Sequence, residues 1–383
     1  MLITMSNPNS QDPSRNPTPS DKQLAAMEPL RVQIDQLDRK IVQLLNDRAK
    51  IVVKIGKIKR DGDGPIYAPD RERAVLEQVR SFNEGPLPES CLESIWRELM
   101  SGSFALERPL RVGYLGPPGS FSHLAARKKF GASVQYHNLD DIPAVFEQIA
   151  RGHLDYGLVP IENSAIGGIS DTLDSFMNSS VRVCAELLIN VHHYLLSNPD
   201  VSGPEQICRV YSKPEALGQC RKWLSMQLRH AERIKVASTS KAAELAAKEP
   251  GTAAIASLLA AEIYNLKVQF ENIEDNPHNT TRFFIIGKQG SNPTDDDKTS
   301  LMFTAEHKPG ALVNVLDVFR EHRINLTHID KRPSQQVNWE YIFFVDLIGH
   351  FSQEKVAAAI EDARKHCLQL TVLGSFPRAT EVL

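Results

Sequence analysis

Tyr156-Gly-Leu-Val-Pro-Ile-Glu-Asn-Ser164 is an apolar run that ends abruptly in Glu, Asn and Ser, with Gly167 and Gly168 just beyond. A run of this kind reads as a buried strand, which places the polar triplet at its C-terminal edge. That edge is where open α/β sheets bind ligands. Around it, strand-type runs at 110–115, 181–196, 207–211, 233–237 and 252–256 alternate with helical stretches. The alternation predicts an α/β fold with mostly parallel sheets, and about 180 residues of it predict two lobes around a cleft.

Upstream the period changes. Apolar residues fall at Leu30, Ile34, Leu37, Ile41, Leu44, Ile51, Ile55 and Ile58, a 4-3-4-3 spacing that predicts one helix of roughly 35 residues, about 50 Å long. Gly62, Gly64 and Pro65 end it; Pro69 opens a second helix through about Phe82, and a third carries Leu92, Trp96, Leu99 and Ser103. A first helix that long outruns a monomeric three-helix domain, so an interlocked homodimer is expected. Arg48 interrupts the apolar seam, and Lys59, about three turns on, points the same way. Arg31 lies about 25 Å from Arg48 along the axis, too far for one chain to bring both to one small ligand, though an antiparallel partner could supply Arg31 to the other subunit's pocket. Ser103 and Glu107, at i and i+4, add polar groups to an apolar stripe. Buried polar groups on facing helices need one another or a shared charged ligand, and a dianionic small molecule fits.

Downstream, Lys288 to Lys298 (KQGSNPTDDDK) has the composition of a linker. Beyond it the order strand, helix, strand, strand, helix, strand predicts a ferredoxin-like α+β unit. The expected divisions are a disordered tail at 1–23, a helical domain at 24–108, an α/β domain at 109–288, a linker at 289–298 and the α+β domain at 299–383.

The 383 residues carry 44 Lys and Arg against 47 Asp and Glu, a net charge of −3, which removes the electrostatic signature of a nucleic-acid binder. Five widely spaced cysteines form no C-x-x-C pair, so neither zinc nor a redox dithiol is expected, and a cytoplasmic location fits. No apolar run reaches 18 residues, and Met1 to Gln23 has no signal-peptide core. The expectation is cofactor-free, metal-free small-molecule chemistry away from membranes.

Three further runs carry chemistry. Val112-Gly-Tyr-Leu-Gly-Pro-Pro-Gly-Ser-Phe-Ser-His123 joins a strand to a helix, so its N–H groups and the Ser120 and Ser122 hydroxyls can face an anion. Asn276-Pro-His-Asn-Thr-Thr-Arg-Phe-Phe284 puts Thr280, Thr281 and Arg282 at a strand start. Lys308-Pro-Gly-Ala-Leu312 and Asn325-Leu-Thr-His-Ile-Asp-Lys-Arg-Pro333 read as a β–α turn and a strand end.

Arg31, Arg48, Lys59, Asp70-Arg71-Glu72 and the Ser103/Glu107 pair resemble the all-helical chorismate mutases. The G-P-P-G-S-F, V-P-I-E-N-S and T-R-F runs jointly resemble prephenate dehydratases, and G-A-L with Asp330-Lys331-Arg332-Pro333 resembles the ACT domains of those enzymes. The resemblance implies a multidomain chain: an all-α mutase domain, a two-lobed α/β dehydratase domain like periplasmic solute-binding proteins, and a ferredoxin-like ACT domain. It implies rearrangement of chorismate to prephenate, conversion of prephenate to phenylpyruvate, and feedback by phenylalanine. By resemblance, Arg31 and Arg48 hold carboxylates, Lys59 and Glu107 face the ether oxygen, and Glu72 takes the ring hydroxyl. Ala68 stands where relatives often carry a carboxylate, so that contact is absent or made by Asp70. Thr281 donates to the departing hydroxyl and Arg282 positions it or holds a carboxylate. Glu162, Asn163, Ser164 and Gln219, with Ser120, Thr280 and Phe283, complete the dehydratase set. Gly310, Ala311, Leu312, Asp330 and Arg332 bind phenylalanine. The competing readings are a non-catalytic amino-acid sensor, which has no use for Thr281 or the Arg31/Arg48/Lys59 set, and a dehydratase whose helical section survives only for dimerisation.

Overall fold

The computed structural model describes residues 21–61, 66–334 and 340–383. The tail expected at 1–23 lies outside the described residues as far as residue 20; residues 21–23 are the first turn of helix α1 (Asp21–Asp61). The chain divides within α1, between Ile55 and Gly56. In the first unit Leu30, Ile34, Leu37, Ile41, Leu44, Ile51 and Ile55 are all exposed. No described helix is long and apolar enough to cross a membrane.

The second unit begins with the last turns of α1 and continues through α2 (Pro69–Ser81) and α3 (Glu89–Glu107). Pro69 starts α2 because its fixed φ suits the first helical turn, and Asp70 and Glu72 add negative charge where the helix dipole is positive. Helices α2 and α3 belong to the same compact unit as the α/β section. Tyr67 and Phe104 pack into the same core as Leu110, Phe130 and Tyr156 of the α/β section.

That section opens with β1 (Arg111–Leu115), α4 (Phe121–Phe130), β2 (Gln135–Leu139), α5 (Ile142–Arg151), β3 (Tyr156–Asn163), β4 (Gly167–Gly168), α6 (Ser170–Met177) and β5 (Arg182–Asn190). The chain then crosses to a second lobe of β6 (Tyr194–Ser197), β7 (Arg209–Ser212), α7 (Pro214–Gln219), α8 (Arg221–Gln227), β8 (Glu232–Lys235), α9 (Thr239–Lys248), β9 (Thr252–Ala256), α10 (Leu258–Tyr264) and β10 (Lys267–Phe270). It returns through 271–279 into β11 (Thr280–Gly287). The first sheet runs β2-β1-β3-β11-β5 and the second β10-β6-β9-β7-β8. The strand-type run 181–196 is thus two strands of different sheets, broken by Val191, His192 and His193. The two crossovers are tied together by Val191 N–H to the Asn279 carbonyl and Ile273 N–H to the His193 carbonyl.

The last section is β12 (Asp297–Thr304), α11 (Ala311–Glu321), β13 (Leu326–Pro333), β14 (Tyr341–Ile348), α12 (Glu354–Arg364) and β15 (Gln369–Pro377), in the expected β-α-β-β-α-β order. Its antiparallel sheet runs β13-β14-β12-β15. The segment read as a linker is not a free tether. Ser291 and Asp297 are buried, and Asp297 already belongs to β12, accepting from the Thr294 N–H and hydroxyl.

Strand β11 has two faces of opposite use. Phe283 and Ile285 join the core shared with α4 and the helical section. Phe284 and Ile286 join the core that includes Phe344, Leu373 and Phe376 of the C-terminal section. The C-terminal sheet therefore packs on the back of the first lobe. Gly374 permits the contact, because a Cβ there would stand 2.2 Å from the Val183 carbonyl oxygen. Gly374→Ala is expected to lower stability by about 1–3 kcal/mol through overpacking, seen as a lower apparent melting temperature; an unchanged melting curve would contradict this packing.

Candidate active site

Register decides what the cleft contains. Across β3 and β11, Thr281 faces Asn163 and Arg282 faces Glu162. Successive strand residues point to opposite sides, so each dipeptide gives one residue to the cleft and one to the back. On the cleft side the Asn163 amide donates to Thr281 Oγ1 at 2.7 Å and to Asn279 Oδ1 at 2.9 Å. The Ala165 N–H donates to Asn163 Oδ1 at 3.0 Å, which fixes the orientation of the amide. Since Thr281 Oγ1 accepts from Asn163, its own O–H is left as the donor. Asn279 Nδ2 donates to Gln219 Oε1 at 3.3 Å, and the same oxygen accepts from His193 Nε2 at 2.7 Å. A polar chain thus runs from the first lobe through a crossover to the second, with Thr281 8% exposed at its start.

His193 and Asn279 are absent from the sequence-based set, although two adjacent histidines interrupting an apolar run were a usable signal. With Nε2 donating, His193 Nδ1 is a buried acceptor with no hydrogen-bond partner among the described residues. Burial holds the His193 pKa below its ordinary value, so the ring is neutral. The Phe121 ring meets it edge-on at 5.5 Å.

The G-P-P-G-S-F turn serves the closure of the lobes instead of cradling an anion. Ser120 Oγ caps α4 by accepting from the His123 N–H and donates to the Leu115 carbonyl. The Gly119 N–H donates to His123 Nδ1, while Ser257 Oγ in the second lobe donates to the Gly119 carbonyl at 2.7 Å. A Cβ on Gly119, whose φ is +86°, would sit 3.1 Å from Ala260. The expectation that the Ser120 hydroxyl faces a ligand is therefore corrected. Ser164 Oγ accepts from the Thr280 N–H, and Thr280 Oγ1 donates to Asn190 Oδ1, so both hold the strand ends together.

Three other expected cleft residues lie elsewhere. Phe283 is buried in the core. The Arg282 guanidinium is bonded to Glu186 at 2.6 Å and to Asp346 of β14 at 2.6 Å, and Lys298 adds a second cation on Glu186 at 3.1 Å. Glu162 Oε2 is 3.4 Å from His328 Nδ1 of β13. Alternation turned Glu162 and Arg282 to the back, where the C-terminal sheet buries Arg282 and meets a partly exposed Glu162. Arg282 does not hold a substrate carboxylate in this arrangement.

In the helical section, Lys59 Nζ lies 3.6 Å from Glu107 Oε2. Gly56 allows this approach, since a Cβ there would be 2.7 Å from Glu107 Cγ. Ser103 Oγ donates back to the Leu99 carbonyl. Asp70 accepts from Asn292 Nδ2, and Arg71 is exposed. Glu72 is buried and holds Tyr67 Oη at 3.0 Å and Lys129 of α4 at 2.7 Å. Its carboxylate is a joint to the α/β section, which corrects the expectation of a ring-hydroxyl contact in this arrangement. Arg31 is exposed and Arg48 half-buried on α1 within the first unit.

Gly310, with φ +83°, starts α11, and Ala311 and Leu312 line an open cavity of about 390 Å³ with Lys308, Pro309, Tyr341 and Phe343. Asp330 and Arg332 are not at that cavity. Arg332 makes a two-pronged bond to Asp174 of α6, each contact 2.7 Å, and Asp330 abuts Gly168 of β4. Among the described residues no cluster of three or more His, Cys, Asp or Glu is placed to hold a metal.

Residues 112–291 match the family model for prephenate dehydratase, residues 30–108 that for chorismate mutase type II, and residues 299–365 that for the ACT domain. The chain is 42% identical over 354 residues to a bifunctional chorismate mutase/prephenate dehydratase of Aquifex aeolicus, covering 91% of this chain and 97% of that protein. A protein of the same name from Pseudomonas aeruginosa is 40% identical over 355 residues, with coverage of 91% and 97%. Among solved structures, a prephenate dehydratase from Arthrobacter aurescens in complex with L-Phe superposes with TM-score 0.66 at 31% identity, over 70% of this chain and 90% of that one.

Burial lowers the pKa of His123 from 6.5 to about 4 and depresses that of His193 as well. The unfolded chain binds protons at these sites before the folded chain does, so stability falls as pH drops from about 6.5 towards 4. An NMR titration is expected to show the His123 ring neutral at pH 6; a midpoint near 6.5 would contradict the buried, acceptor-only Nδ1.

Proposed function

The chain belongs to the bifunctional chorismate mutase/prephenate dehydratases, and from that premise we propose which residues carry its two reactions and its control. It rearranges chorismate to prephenate and converts prephenate to phenylpyruvate, and its ACT domain fits feedback by phenylalanine. The observation that carries the dehydratase assignment is the Asn163–Thr281 hydrogen bond, which leaves the Thr281 proton as the donor in the cleft.

In the dehydratase step the carbon–carbon bond to the ring carboxylate breaks, its electron pair enters the ring, and the ring hydroxyl leaves. The hydroxyl leaves as water by taking up one proton that solvent delivers along the cleft relay, so carbon dioxide, water and an aromatic ring result. Aromatisation drives carboxylate loss, so help is needed at the departing oxygen. Thr281 donates a hydrogen bond there, while Asn163 keeps the threonine oxygen in its accepting role. A threonine hydroxyl is a weak acid, so it works as a link in a relay in place of a full proton donor. Neutral His193 orients Gln219 and Asn279 at the far end. Substrate enters when the lobes part about the crossovers at 191–193 and 271–279.

In the mutase step no nucleophile is required. Arg48 and a partner's Arg31 hold the two carboxylates in a compact conformer, and Lys59 with Glu107 meets the charge developing on the ether oxygen. The exposed apolar stripe of α1 supports pairing with a second copy of the chain, which supplies that Arg31. Phenylalanine occupies the cavity at Gly310, Ala311 and Leu312.

Thr281→Ala is expected to cut phenylpyruvate formation from prephenate by about 100- to 10,000-fold and leave chorismate turnover intact; parallel loss of both activities would contradict separate sites. Arg31→Ala and Arg48→Ala should each be mutase-inactive, yet recover about a quarter of wild-type activity when mixed at equal amounts and refolded, because half the dimers then carry one intact site. No recovery would contradict a shared pocket.

A further inference from the structure

The back of the catalytic strand pair is wired to the ACT sheet by a contact between register partners. On β3 and β11 the partners are Glu162 and Arg282; on β13 and β14 they are His328 and Asp346. His328 meets Glu162 and Asp346 meets Arg282, so two strand pairs are clasped at two points. One residue along each catalytic strand lies the Asn163–Thr281 hydrogen bond. We propose that Glu162 and Arg282 are positioning residues through which the state of the ACT sheet sets the Asn163–Thr281 hydrogen bond, making this clasp the route of feedback.

Three observations favour this route. Strand β14 has two working faces: Tyr341 and Phe343 line the cavity at Gly310 to Leu312, while Phe344 and Asp346 face the first lobe. An occupant of that cavity therefore bears on the strand that grips Arg282. The grip is electrostatically closed: Arg282 and Lys298 balance Glu186 and Asp346, with Ser300 Oγ on Asp346 and the Ala379 N–H on Glu186. A buried charge cannot lose its partner without a large desolvation penalty, so Arg282 follows Asp346. Finally, Ile161, Phe284, His328 and Asp346 share one small pocket of about 10 Å³, so the two strand pairs meet directly there. Asp330 and Arg332 extend the same contact: Asp330 abuts Gly168, whose strand pairs with Glu162 and Asn163, and Arg332 grips Asp174.

This inference rests on the dehydratase and phenylalanine reading, and the test separates the two. Phenylpyruvate formation is measured in the full-length protein against rising phenylalanine for wild type, His328→Gln, Asp346→Asn and the double variant. Phenylalanine binding is measured at equilibrium, and prephenate formation from chorismate reports an intact chain. The double variant should bind phenylalanine within about twofold of wild type yet need at least about tenfold more for the same inhibition. Its dehydratase kcat should fall with KM unchanged. His328→Gln, which leaves no buried charge behind, should move inhibition the same way by a smaller factor and stands alone if Asp346→Asn does not fold. Wild-type inhibition in His328→Gln and the double variant, or binding and inhibition lost to the same extent, would overturn the clasp. A wild-type protein that is not inhibited by phenylalanine would overturn the regulatory reading itself and the clasp with it.

Discussion

The register of one antiparallel pair governs this molecule. Strands β3 and β11 meet with Thr281 opposite Asn163 and Arg282 opposite Glu162, and the twofold period of a strand sends the two pairs to opposite faces. The cleft receives an amide and a hydroxyl, joined at 2.7 Å. The back receives a carboxylate and a guanidinium, which meet His328 and Asp346 of the C-terminal sheet. A slip of one residue would exchange the faces, put an ion pair in the cleft and bury the chemistry against Phe344. The many contacts around this pair serve to keep that register.

Buried charges make the joint between the helical and α/β sections. Glu72 in α2 is held by Lys129 in α4 and by Tyr67, whose backbone carbonyl in turn accepts from the Tyr156 hydroxyl. Burial and the neighbouring Glu72 carboxylate keep the Tyr67 hydroxyl well above its ordinary pKa, so it remains a donor. Removing one partner from such a buried pair typically costs about 3–5 kcal/mol. That is enough to make the helices α2 and α3 part of the body of the α/β section.

Much of this was legible in the residues. The 4-3-4-3 spacing gave α1, the β-α-β-β-α-β order gave the last section, and the expected Thr281, Asn163 and Gln219 lie on one hydrogen-bonded chain through Asn279. What sequence could not supply was the identity of the cover on each face. Glu-Asn and Thr-Arg are polar dipeptides at strand ends, and nothing local says that the back of the sheet is met by a later section of the chain. The same limit hid His193, whose neutrality depends on burial between crossovers, and misplaced Arg332, which spans to Asp174. The polar composition of 288–298 reads as a linker, whereas Asp297 is fixed by Thr294 within a buried strand start.

The view that emerges is of a catalytic pair with its chemistry in front and its control behind. Hydrogen–deuterium exchange at the backbone amides, with and without phenylalanine, tests it most directly. The account predicts altered protection at Phe343 to Asp346 and His328 and, in the same experiment, at Glu162 to Ser164 and Thr280 to Phe283. Changes confined to the C-terminal section, with the catalytic strand pair unmoved, would contradict it.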